Sequence, residues 1–115
     1  MPLLKLETTV ALTAEKQTAL LASLSTIVAA TIGKPEDYVM VTIHPTAIQM
    51  AGEPGNAAFV DIRSIGGLSV ETNRRLAEKV CKELGDHAGI PPERVYVNFT
   101  EIEAVNWGWK GSTFG

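Results

Sequence analysis

The chain has one cysteine, Cys81, in 115 residues. A lone cysteine excludes an intramolecular disulfide and suits a reducing compartment. Basic residues are sparse and scattered: 10 Lys and Arg stand against 13 Asp and Glu, a net charge of −3. Without a basic stripe the chain has no electrostatic footprint for nucleic acid. No apolar run approaches the roughly 20 residues of a membrane span. The opening Met1-Pro2-Leu3-Leu4-Lys5-Leu6-Glu7 lacks the basic segment and apolar stretch of a signal peptide. The expected location is therefore the cytoplasm, with export by a signal-free route left open. The two histidines, His44 and His87, fall in different elements with no metal-ligand spacing around them. Gly66-Gly67 reads as a turn and not a phosphate loop, and there is no Gly-x-Ser-x-Gly elbow. No metal and no cofactor is implied.

What the chain does have is a 45% share of hydrophobic residues, enough for one packed domain over residues 1–115. A domain this small buries a limited fraction of its surface, so self-association is a natural way to bury more. It also has an ungapped internal duplication. Gly33-Lys34-Pro35-Glu36-Asp37-Tyr38-Val39-Met40-Val41 resembles Gly89-Ile90-Pro91-Pro92-Glu93-Arg94-Val95-Tyr96-Val97, an offset of 89 − 33 = 56 residues. The same offset relates Thr13 to Ser69, Glu15 to Glu71, and Leu4 and Leu6 to Val60 and Ile62. The pseudo-repeats run over about 2–46 and 58–102.

Each copy reads strand, helix, strand. Leu4, Leu6 and Thr8 alternate with Lys5 and Glu7, the period of a half-buried strand. Thr13 is a helix N-cap with Glu15 in the first turn, and Leu20, Leu21, Leu24, Ile27 and Val28 share one helical face. Gly33 and Pro35 end that helix, and Val39, Val41 and Ile43 form the next core face. The second copy repeats this with Ser69 as cap, then Leu76, Ala77, Val80, Cys81, Leu84 and Ala88 as the apolar face. Gly89 and Pro91-Pro92 stop the second helix, and Val95, Val97 and Phe99 follow. Two such crossovers predict an α+β sandwich: a four-stranded mixed sheet with two helices on one face. By parity the bare face carries Met40, Thr42, Phe59, Ile65, Tyr96 and Asn98. That mixture predicts cover by other copies of the chain. The tail, rich in Trp107, Trp109 and Phe114, is expected to dock and not to fray.

Few residues offer chemistry. Cys81 lies on an apolar helix face and reads as core. His87, Glu101 and Glu103 read as solvated ends of elements. Pro2 is different. Removal of Met1 would expose a secondary amine, and an α-amino group titrates near neutrality. An apolar pocket, or a cation such as Lys34, would favour its neutral form. Such an amine can take a proton from carbon beside a carbonyl and return it elsewhere. The dipeptide Met1-Pro2 alone carries little weight.

The weight comes from a resemblance that spans essentially all 115 residues. Its carriers are Met1-Pro2, Gly33-Lys34-Pro35, Ser64-Ile65-Gly66, Asn73-Arg74, the run from Pro92 to Asn98, and Asn106-Trp107-Gly108-Trp109 followed by Ser112-Thr113-Phe114. In this order and spacing they resemble the macrophage migration inhibitory factor (MIF) family of the tautomerase superfamily. The resemblance implies a homotrimer with active sites at subunit interfaces. Pro2 matches the catalytic base, and Lys34 the cation that lowers its pKa and holds a substrate carboxylate. Ile65 matches a residue whose backbone binds substrate. Tyr96 and Asn98 match polar residues from the neighbouring subunit. Trp109 and Phe114 match the aromatic wall, with Trp107 near the mouth. The implied reaction is keto–enol tautomerisation of a small aromatic 2-oxo acid of the phenylpyruvate type, with dopachrome-type isomerisation as a relative. The alternative is a cytokine-like signalling or binding protein whose tautomerase activity is incidental. Three departures bear on that choice. Asn56-Ala57-Ala58-Phe59 replaces the Cys-x-x-Cys of vertebrate members, which excludes their thiol–disulfide chemistry. Val10-Ala11-Leu12-Thr13 lacks an arginine, and Thr46 stands where an acidic residue is used in receptor mimicry; both count against receptor binding. Trp107 replaces a smaller aliphatic residue of many relatives and is expected to narrow the pocket.

Overall fold

A computed structural model describes residues 1–115. The duplication is visible residue by residue. Strand β1 (Leu3–Thr8) leads to helix α1 (Ala14–Ile32) and strand β2 (Met40–Pro45). Strand β3 (Ala58–Ser64), helix α2 (Val70–Ala88) and strand β4 (Val95–Glu101) repeat the pattern. Both ends of α2 lie 56 residues beyond those of α1, since 70 − 14 and 88 − 32 both equal 56. The caps explain why. Thr13 and Ser69 are extended residues whose hydroxyls accept from the N–H groups of Lys16 and Thr72. Gly33 and Gly89 close the two helices at φ 78° and 65°. One-turn 3₁₀ helices, Glu36–Tyr38 and Pro92–Arg94, then lead each chain segment into its second strand. These turns are equivalent under the same offset, and periodicity did not reveal them.

The sheet order is β2-β1-β3-β4. β1 pairs parallel with β2, Leu3 opposite Met40, and β3 pairs parallel with β4, Phe59 opposite Tyr96. Adding 56 to the first pair gives the second, so the two crossovers share one register. The central strands run antiparallel with Lys5 opposite Asp61, its own equivalent in the other copy. A pseudo-twofold axis therefore passes between Lys5 and Asp61.

Both helices cover one face. Leu4, Leu6, Val60 and Ile62 meet Leu20, Leu24, Val28, Leu76, Val80 and Leu84 in one core. Leu20 and Leu76 are equivalent under the offset and both are fully buried. Leu20→Ala and Leu76→Ala are each expected to lower stability by about 2–5 kcal/mol in chemical denaturation. A loss below about 1 kcal/mol in either would mean that its helix packs too loosely to be part of that core. On the opposite face Met40 and Tyr96 remain 62% and 66% exposed, with Phe59 beside Tyr96. No helix is long and apolar enough to cross a membrane.

After β4 a third 3₁₀ turn, Ala104–Asn106, precedes a small hairpin of β5 (Gly108–Trp109) and β6 (Ser112–Thr113). Lys110 and Gly111 turn it at φ 54° and 80°, the left-handed pair that matches strand twist in a two-residue hairpin. The Phe114 N–H donates to the Trp107 carbonyl at 3.1 Å and returns the tail onto itself.

Candidate active site

Pro2 sits buried at the head of β1, where its carbonyl accepts from the Met40 N–H at 3.1 Å. It opens onto a cavity of about 510 Å³. One wall is aromatic. Trp109 and Phe114 stack with centroids 5.6 Å apart, and Tyr38 meets them edge-on at 5.6 and 6.4 Å. Such offset and T-shaped packing fixes the rings as a surface on which a planar substrate can lie. Trp107 lines the same cavity, and Arg63 enters from β3. Of the residues expected from sequence, Pro2, Trp107, Trp109 and Phe114 are thus brought together.

Lys34 stands beside this cavity and not in its wall. Its stem packs on the Gly66-Gly67 turn, with Cε 3.5 Å from where a Gly67 Cβ would be. That Cβ would also come within 2.5 Å of the Ile32 side chain at φ 81°, so only glycine fits there. Lys34 nevertheless acts on the N-terminus. With Met1 in place the terminal amine is Met1's, and burial first, then the Lys34 charge, holds it below its ordinary value. Both causes favour a neutral amine.

Ile65, Tyr96 and Asn98 are not in the cavity wall of the single chain. β3 ends at Ser64, whose hydroxyl donates to the Gly66 carbonyl at 2.7 Å. Strand parity therefore stops before Ile65, which lies in the turn and not on the open face. For Tyr96 and Asn98 the register decides. Leu3 is level with Arg63 and Thr100, whereas Tyr96 is level with Phe59 and Glu7. Tyr96 is thus four residues along the strand from Pro2's end, about 13 Å, and two strands away, about 9.6 Å. It cannot reach its own chain's Pro2.

Tyr38 and Arg63 escaped the sequence reading. Tyr38 falls in a 3₁₀ turn with no periodicity to mark it. Arg63 belongs to no motif that would mark it as a site residue. Cys81 is half-buried on α2, and burial pushes its thiol up, which weakens it as a nucleophile. His87 pairs with Glu83 at 3.0 Å, and Glu83 accepts from Ser23 of α1 at 2.7 Å. That cluster ties the two helices together and is remote from the cavity wall.

Two fused β-α-β units with a terminal residue at the head of β1 in an aromatic cavity define the class: an α+β protein of the tautomerase-superfamily fold. The family model for macrophage migration inhibitory factor (MIF) matches residues 1–115. A macrophage migration inhibitory factor homolog of Trichuris trichiura is 40% identical over 95 residues, 82% of this chain and 83% of its own. The solved structure of the Toxoplasma gondii macrophage migration inhibitory factor superposes with a TM-score of 0.95 at 33% identity, over 97% of this chain and 99% of that one. A second structure, of a protein inactivated by 2-oxo-3-pentynoate, gives a TM-score of 0.85 at 26% identity over 96% of this chain and 93% of that one. The chain belongs to the macrophage migration inhibitory factor family.

Proposed function

We propose that the protein is a keto–enol tautomerase of the phenylpyruvate type in which Pro2, freed by loss of Met1, is the general acid–base. The observation that carries this is the setting of the terminal amine, which is Met1's while that residue is present: partial burial first, then the Lys34 charge, holds it below its ordinary value, and an aromatic wall stands beside it. Lys34 would bind the carboxylate of a 2-oxo acid, and the Trp109–Phe114 stack would hold its ring. The neutral Pro2 nitrogen takes a proton from C3, the C2–C3 double bond forms, and the electron pair moves onto the C2 oxygen, which is then protonated. The reverse path returns the proton to C3. One group can serve both steps, because an amine that is neutral before the transfer is charged after it and can return the proton.

The working form is a homotrimer with the open sheet face inward. Met40 and Tyr96 lie exposed there, and β2 and β4 are unpaired edges. Tyr96 and Asn98 would then serve the Pro2 of a neighbour, and the Ile65 backbone would complete the substrate contacts. A cytoplasmic setting accords with the single free thiol of Cys81.

The test is covalent. 2-Oxo-3-pentynoate carries a carboxylate and a conjugated alkyne, to which a neutral amine adds. A relative of this fold is inactivated by it. The reagent should label Pro2, located by peptide mass. The labelling rate should rise with pH through the amine's pKa, because only the deprotonated amine adds. Lys34→Ala removes a cause that lowers this pKa, so the rise should move to higher pH. Labelling elsewhere, or a profile unchanged by Lys34→Ala, would overturn the assignment.

A further inference from the structure

We propose that Arg63 gives this cavity a second anion-binding group, so that its preferred substrates are 2-oxo acids bearing a second carboxylate on the ring side. The inference rests on the tautomerase reading and adds the substrate class to it.

The wall is largely apolar and aromatic, and Arg63 is its one cationic side chain. Its place is fixed twice. Through the backbone it lies opposite Leu3, next to Pro2 in β1. Through the side chain it is held by Asp61, whose Oδ2 accepts from Nε at 3.1 Å and Nη2 at 2.9 Å. The Asp61 side chain is only 12% exposed, and its other oxygen accepts from the Asn98 amide at 3.3 Å. The carboxylate is thus immobilised from two sides and orients the guanidinium.

The guanidinium is not used up by that pair. Arginine has five N–H donors, and Asp61 takes two, leaving three, both of Nη1 among them. The Arg63 side chain is 50% exposed, so these donors are open to a ligand. Nor does the mechanism use Arg63: the causes that lower the terminal amine are burial and Lys34. A planar donor pre-oriented in an apolar cavity is suited to a carboxylate, which it can grip through two N–H groups. The only acidic side chain in the wall is Asp37, in the exposed Glu36–Tyr38 turn. Its charge disfavours an anion on that side and directs the second carboxylate toward Arg63. A purely structural Arg63–Asp61 pair would leave substrate choice unchanged.

The experiment compares phenylpyruvate with 4-carboxyphenylpyruvate, which differ by one carboxylate. In Arg63→Gln the ratio of kcat/KM for the diacid over the monoacid should fall about tenfold or more, the loss of one charge-assisted contact. Arg63→Lys keeps a charge without the fork and should give a smaller fall; it also serves if Arg63→Gln leaves Asp61 too poorly paired to fold. Calorimetric binding of cinnamate and 4-carboxycinnamate gives the same comparison without turnover. An unchanged ratio in a folded variant overturns the role of Arg63, even if phenylpyruvate is turned over. If neither oxo acid reacts but the cinnamate ratio falls as expected, the tautomerase reading fails and the second anion site stands.

Discussion

Adding one alanine ahead of Pro2 is expected to lower phenylpyruvate tautomerisation by about a hundredfold to ten-thousandfold, the usual worth of a positioned acid–base group. The extension turns the Pro2 nitrogen into an amide with no basic lone pair. A new terminal amine then exists, but it is displaced by one residue, up to about 3.8 Å. Proton transfer tolerates such a displacement badly, since even about 1 Å of misplacement can cost a hundredfold. The chain that keeps Met1 illustrates the situation: its amine lines the cavity and feels Lys34, yet it is not Pro2's. Pro2→Gly leaves an amine in register but removes the ring that fixes it, so its loss should be smaller than that of the extended chain. Intact mass establishes which chains have lost Met1, and initial rates across the three forms decide the matter. Equal rates in wild type, Pro2→Gly and the extended chain would remove Pro2 from the chemistry.

Much of the fold was legible because the same signals occur twice. Thr13 and Ser69 mark helix starts, Gly33 and Gly89 mark the ends, and all four act as caps in the structure. The alternation of Leu4 and Leu6 with Lys5 and Glu7 set the faces of β1, and the equivalents Val60 and Ile62 join the same core while Asp61 does not. What periodicity could not carry were segments without a period. The Glu36–Tyr38 turn hid Tyr38, and the hairpin at Lys110-Gly111 depends on a left-handed lysine that no propensity favours. Ile65 was misplaced because strand parity does not extend past Ser64, where β3 ends just ahead of the positive-φ pair Gly66-Gly67. The site was legible in a different way. Pro2, Lys34, Trp107, Trp109 and Phe114 came through resemblance, because residues at the head of a strand, in a helix-end turn and in a tail share no local pattern. Arg63 was invisible because its partner, Asp61, is two residues away on the same strand, and only the folded cavity gives that pair a direction.

Co-refolding Pro2→Gly with Tyr96→Ala should raise activity above that of either variant alone. Tyr96 is 66% exposed and too far along β4 to reach its own Pro2, so any catalytic use requires a second copy. In a ring with random order, the Tyr96→Ala chain supplies an intact Pro2, and the neighbouring Pro2→Gly chain supplies an intact Tyr96. At equal amounts about one site in four is then fully wild type, the product of two independent halves in a closed symmetric assembly. Activity should approach a quarter of wild type after joint refolding. Mixing the two pre-assembled proteins without refolding should give only the average of their separate rates. If each site were built from a single chain, joint refolding would also give only that average, because each chain lacks one of its two groups. A full-rate Tyr96→Ala protein would remove Tyr96 from the site directly. Recovery would tie catalysis to assembly: the face that leaves Met40 and Tyr96 exposed in one chain would be the face that completes the cavity of the next.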